Sequence, residues 1–267
     1  MVEVDGVSLA VTRTGTGPPV LCLHATGHGA RDFEAFGALV GKQFEVIAVD
    51  WPGQGRSGDD THPASAARYA QLIGGVLDAI GVDRAILLGC SIGGAAAIMF
   101  AQKHPDRVRG LVLCNPGGLI ELDPGTVKAI GYMVRFFAAG ERGTGWFGSA
   151  FAAYYRLLVL PSRAARAQRR RIAAAGYACA PVLRQAWESF AQPDADIRGV
   201  ALSLQVPIWF AWAKGDKFVS LKRSRATIDK MPTAQLTTFR GGHAAFLERP
   251  KRFAKAFCKF ADQLPPA

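Results

Sequence analysis

Five short and nearly unbroken apolar runs restrict this chain more than any other feature: Val20–His24 (VLCLH), Phe44–Asp50 (FEVIAVD), Ala85–Cys90 (AILLGC), Val108–Cys114 (VRGLVLC) and Pro207–Ala213 (PIWFAWA). Runs of this length without polar alternation fit strands buried on both faces, the habit of parallel sheets. Between them lie segments with helical spacing, Pro63–Ile80 and Ile92–Lys103. Strand alternating with helix argues for the α/β class, with a mostly parallel central sheet and helices on both faces. Leu221–Lys230, Leu236–Arg240 and Ala244–Phe260 continue the alternation as helix, strand and helix, and Val2–Val4 and Val7–Thr12 read as two short strands across an Asp5-Gly6 turn. The terminal Leu264-Pro-Pro-Ala is expected to fray.

The alternation stops between Gly118 and Ala201. This stretch has no buried-strand run and carries aromatics at helical spacing, among them Phe136, Phe137, Phe151, Tyr154 and Trp187. It is too long for a plain connection. The expected organisation is a core of residues 1–117 and 202–267 interrupted by a mostly helical insertion, 118–201.

Residues 89–94 read Gly-Cys-Ser-Ile-Gly-Gly, between the strand AILLGC and a helix. A serine on a sharp strand-to-helix turn needs small neighbours two residues to either side, and Gly89 and Gly93 supply them. The helix starting at Ile92 points unpaired N–H groups and its positive dipole end at Ser91. The competing reading, a capping serine at a glycine-rich helix start, leaves the preceding strand and the paired glycines unexplained. Cys90 sits one place before the apex and is expected to be a packing thiol.

A serine hydroxyl attacks only when a base removes its proton. His243, in Arg240-Gly-Gly-His, follows the strand Leu236–Arg240 in a loop where a core histidine has little reason to be. Asp216 follows the strand PIWFAWA, at the sheet edge where catalytic groups of open α/β sheets gather. The order Ser91, Asp216, His243 suits a nucleophile, a base and an orienting carboxylate. Glu121 and Asp123 are rival acids ranked below Asp216, because Asn115 holds the nearer strand-end position. The backbone N–H groups of Thr26 and Ile92 are the expected oxyanion donors. His24 is expected to fix its loop, while the roles of His28 and the Thr26 hydroxyl stay open.

Composition removes several other classes. The five cysteines, Cys22, Cys90, Cys114, Cys179 and Cys258, form no C-x-x-C or zinc spacing. They fit free thiols and a cytoplasmic location. No metal or organic cofactor is expected. No apolar run approaches the roughly 18 residues of a membrane span. The N-terminus lacks a basic segment before an apolar stretch, so no secretory signal is expected. Net charge is +11, and the first 83 residues carry 5 Lys/Arg against 10 Asp/Glu, so the excess lies in the remainder. No nucleic-acid motif accompanies it. The run Arg163, Arg166, Arg169, Arg170, Arg171 reads as a solvated helix face, with steering of an anionic substrate as its functional alternative.

Together these segments resemble the α/β-hydrolase superfamily over nearly the whole chain. The resemblance rests on His24-Ala25-Thr26 after a core strand, Asp50-Trp-Pro-Gly-Gln-Gly-Arg-Ser57, the serine elbow, Gly215-Asp216, and Gly241-Gly242-His243 through Glu248 to Pro250. Ala25 departs from the usual glycine. The resemblance implies that Asp50–Ser57 is a structural turn and that residues 118–201 form a helical cap. Epoxide hydrolases and haloalkane dehalogenases carry aspartate at the elbow and dienelactone-type members cysteine, so serine disfavours those activities. The implied function is hydrolysis of a carboxylic ester or similar acyl bond in a small molecule. The aromatics of the insertion suggest an apolar or aromatic acyl group, with packing of its helices onto the core as their alternative role. Carbon–carbon hydrolysis of a vinylogous diketone, which Thr26 permits, and a non-catalytic ligand receptor are the alternatives.

Overall fold

The computed structural model describes residues 1–265. The strands are β1 (Val2–Val4), β2 (Val7–Leu9), β3 (Val11–Thr14), β4 (Pro19–Leu23), β5 (Glu45–Val49), β6 (Ala85–Cys90), β7 (Val108–Cys114), β8 (Ile208–Ala213) and β9 (Ala234–Phe239). β1 and β2 form a hairpin, and the other seven form one sheet in the order β3-β5-β4-β6-β7-β8-β9. Only edge strand β3 runs antiparallel, against β5. From β4 the chain moves first to β5 and then back across β4 to β6. That reversal opens a crevice at the carboxyl ends of β4 and β6. Leu23 is paired there with Gly89, which sets the loops after these two strands side by side.

Every residue of β6, β7 and β8 is buried. Successive side chains enter opposite layers, because the strand period is two. Ile86, Leu88, Val112 and Trp209 join one apolar cluster with Phe36 and Phe253. Leu87, Leu111, Phe210 and Trp212 join the other with Leu72 and Ala97. Helices Glu34–Val40 and Pro250–Ala261 cover the first face, and Ala66–Ala79 and Ile92–Lys103 the second. The architecture is the α/β arrangement expected from the sequence, a mostly parallel sheet with helices on both faces.

Several boundaries differ from the sequence expectation, three of them for clear physical reasons. Val7–Thr12 is not one strand but two. The Ala10 N–H donates to Ser57 Oγ and its carbonyl accepts from Asp50 N–H, so the Asp50–Ser57 turn takes the groups that a continuous ladder would use. The helix expected over Ala244–Phe260 is Ala245–Glu248 followed by Pro250–Ala261. Pro250 lacks an N–H and disfavours helical backbone at Arg249. The helix expected from Pro63 starts at Ala66, where Ser65 Oγ accepts the Arg68 N–H at 3.0 Å. Leu264 packs into the core against Gly110 instead of fraying; Pro266 and Ala267 lie outside the described residues.

Between β7 and β8 stand the helices Pro124–Glu141, Phe147–Tyr154, Arg166–Ala174, Gly176–Ser189 and Arg198–Leu202, with no strand. Phe137, Phe147 and Phe151 are fully buried among them, whereas Trp146 is exposed. Among the described residues, no helix is long and apolar enough to cross a membrane.

Candidate active site

Ser91 stands at the apex between β6 and helix Ile92–Lys103 with φ 54° and ψ −119°. Non-glycine residues rarely adopt this conformation, and it is kept only where the surroundings enforce it. The Ser91 N–H donates to Cys114 O at 3.0 Å, and its carbonyl accepts from the N–H groups of Gly94 and Ala95. A Cβ on Gly89 would come within 2.5 Å of Gly93 O, and one on Gly93 would strike the Leu23 carbonyl. Both glycines are therefore demanded by close backbone approach.

Asp216 and His243 meet across the ends of β8 and β9. His243 Nδ1 lies 2.6 Å from Asp216 Oδ2. Their loops are tied by the Gly215 N–H donating to Gly241 O at 2.8 Å. Asp216 Oδ1 accepts from the N–H groups of Phe218 and Val219 at 2.8 and 3.0 Å. Asp216 Oδ2 also accepts from Asn115 Nδ2 at 2.8 Å. Asn115 itself is fixed by accepting the Ala213 N–H at 2.8 Å and donating to Ala213 O at 3.1 Å. The carboxylate is thus held by four donors. Burial pushes the His243 imidazole toward lower pKa, but the charge and hydrogen bond of Asp216, aided by Glu248 and Asp32, raise it overall.

Asn115 was visible in the sequence only as a strand-end residue, and its left-handed backbone (φ 45°) is what turns its amide toward β8. Glu248 is a second group that sequence reasoning passed over. It is buried beneath the His243 loop, where it accepts the N–H groups of Gly242 and of Ser162 in the insertion. Burial raises its pKa, against the pull of those two donors. The Gly-Gly-His to Glu spacing was its only signal.

The loop after β4 runs beside the elbow. His24 accepts the Trp51 N–H at Nε2 (2.9 Å) and donates from Nδ1 to Ala25 O (2.7 Å). Burial lowers its pKa and both ring nitrogens are engaged, so it fixes the loop. The Gly27 N–H donates to Gln54 Oε1 at 2.6 Å and the His28 N–H to Ala25 O at 3.1 Å. Among the described residues the N–H groups of Thr26 and Ile92 have no acceptor. Ser91, His243, Thr26 and His28 all line one cavity, with Tyr154, Tyr155, Trp187, Leu183 and Phe218 over it.

The remaining candidates fall away from it. Asp123 caps helix Pro124–Glu141 and pairs with Arg223, and Glu121 is exposed near Arg198. Cys90 is wholly buried, with Sγ 3.9 Å from His243 O, and burial pushes its thiol pKa well above the ordinary range. Arg169 donates to Leu160 O and Ser162 O, and Arg171 to Glu34. Among the described residues no Lys or Arg lines the cavity, and no group of three or more His, Cys, Asp or Glu is arranged to hold a metal ion.

A twisted parallel sheet with a strained serine turn at its centre defines a hydrolase of the α/β class. Residues 18–250 match the alpha/beta hydrolase fold family, and the chain belongs to it. It is 28% identical over 262 residues to a 2-hydroxy-6-oxo-6-phenylhexa-2,4-dienoate hydrolase of Burkholderia cepacia, covering 92% of this chain and 88% of that protein. Among solved structures it is similar to a thermophilic esterase from Thermogutta terrifontis (TM-score 0.81, 22% identity, 98% and 97% of the two chains covered). It is also similar to Est816, an N-acyl homoserine lactone degrading enzyme (TM-score 0.75, 27% identity, 97% and 99% covered).

Proposed function

We propose that the protein hydrolyses uncharged carboxylic esters, lactones included, through an acyl-enzyme on Ser91. The observation that carries this reading is the His243–Asp216 pair facing the cavity of the strained Ser91 turn. With Nδ1–H donated to Asp216, the neutral imidazole presents Nε2 as a base. His243 takes the Ser91 Oγ proton as Oγ bonds to the acyl carbon. The carbonyl oxygen gains charge, which the N–H groups of Thr26 and Ile92 receive; that neither has an acceptor among the described residues supports this role. Collapse breaks the ester C–O bond as His243 returns the proton to the leaving oxygen. Water then repeats the sequence, releasing the acid and restoring Ser91. The helical insertion acts as a cap, and its aromatic wall favours an apolar acyl or alcohol group.

The dienoate hydrolase relative supports carbon–carbon hydrolysis as a second reading. A dienoate brings a carboxylate, and the absence of a lining Lys or Arg among the described residues weighs toward neutral esters. Fluorophosphonate labelling combined with turnover of short p-nitrophenyl esters and of a dienone substrate separates the readings. Labelling with ester turnover supports the proposal. Turnover of the dienone alone supports the second reading, and labelling without turnover a ligand receptor.

A further inference from the structure

A second histidine–carboxylate pair faces the same cavity. His28 Nδ1 lies 2.6 Å from Asp32 Oδ2, and the two side chains are 1% and 0% exposed. Asp32 Oδ1 accepts from Gln168 Nε2, on the insertion helix Arg166–Ala174. Both carboxylate oxygens therefore act as acceptors, and His28 must carry its proton on Nδ1. A neutral ring with its proton on Nδ1 offers Nε2 as a hydrogen-bond acceptor. Among the described residues Nε2 has no partner, and the ring lines the cavity while packing against Tyr155 at 5.5 Å between centroids. Nearby on the same loop, Thr26 Oγ1 is buried and has no partner among the described residues. A buried polar atom left unpaired is costly unless a bound molecule completes it.

On the ester-hydrolase reading above, we propose that His28 and Thr26 form a polar subsite that takes a hydrogen-bond donor on the substrate, a hydroxyl or amide N–H beside the scissile carbonyl. His28 is a positioning residue in this account, and Asp32 with Gln168 fixes its tautomer. The rest of the cavity wall is mainly apolar, so one such donor orients the substrate. Asp32 is also near enough to His243 for its charge to favour the imidazolium there, which places the two pairs within electrostatic reach.

The test compares ethyl 2-hydroxyhexanoate with ethyl 2-methoxyhexanoate, which match in electron withdrawal and differ in the donor. The wild type is expected to favour the hydroxy ester by about tenfold in kcat/KM. His28→Leu should bring the ratio near one, and His28→Asn, which keeps an acceptor, should restore part of it. A wild-type ratio near one overturns the subsite without any variant, as does an unchanged ratio in folded His28→Leu. Preference for the monoethyl ester of butylmalonic acid overturns it too, because a carboxylate calls for a cationic His28. Failure of the wild type on all these esters overturns the ester reading as well, whereas good turnover with no preference removes only the subsite.

Discussion

Two histidine–aspartate pairs of equal length, both buried, contribute a histidine to one cavity, and only one serves as the base in the proposed mechanism. His243–Asp216 is assembled from the ends of two adjacent strands, and its carboxylate is held by Asn115 and two backbone N–H groups of the core. His28–Asp32 is local, four residues apart in one loop, and its outer support is Gln168 of the insertion. Distance and burial do not separate the pairs. Position relative to the Ser91 turn and the origin of the supporting donors do. The core pair is held by groups at the ends of the sheet strands, while the other is tied to a helix between β7 and β8.

The largest contrast is expected at Ser91, the proposed nucleophile. Ser91→Ala should lower kcat on a short ester by about 10⁶-fold in steady-state kinetics, and His243→Ala by a similar factor. Near-full activity in either variant breaks the distinction between the pairs. Asp216→Asn should cost about 10⁴-fold in kcat/KM by favouring the wrong tautomer. Asp32→Asn should cost about tenfold or less and act mainly on the hydroxy-to-methoxy ratio. Equal losses would mean that the two pairs are not functionally distinct.

Much of this contrast was legible in the sequence. Ser91 and Asp216 each follow a buried apolar run, and His243 follows a half-buried strand, so the patterns that mark strands also mark the sheet edge where they stand. The Gly89 and Gly93 pair was readable because steric demand at a tight turn leaves a residue-type signature. Asn115 was not readable as a clamp, since its reach to β8 spans 98 residues of sequence. The link from Gln168 to the His28–Asp32 pair was hidden for the same reason, with donor and acceptor 136 positions apart. The split of Val7–Thr12 depended on Ser57 and Asp50 taking the backbone of Ala10, a contact no local pattern records.

Asn115→Ala should lower kcat by about tenfold to a hundredfold, because Asp216 loses a donor and the buried Ala213 N–H loses its acceptor. Chemical denaturation should show a stability loss in the same variant. The pH profile sharpens the comparison further. The raised pKa of His243 places the acid limb of kcat/KM above the ordinary histidine value of about 6.5. The same shift makes the charged His243–Asp216 pair stabilising below the ordinary value. That contribution is lost as pH rises through the raised folded value. The stability margin of the wild type over His243→Ala should therefore shrink on passing from pH 6 to pH 9. The smallest effect is expected at the surface. Neutralising Arg163, Arg166 and Arg170 together should leave kcat/KM for a neutral ester within about twofold across salt concentrations.

The most direct measurement is peptide mapping of a fluorophosphonate adduct in the wild type and in His243→Ala. One adduct is expected, on Ser91, formed rapidly in the wild type and slowed by orders of magnitude without His243. An adduct on another residue, or unchanged labelling of Ser91 without His243, would contradict it.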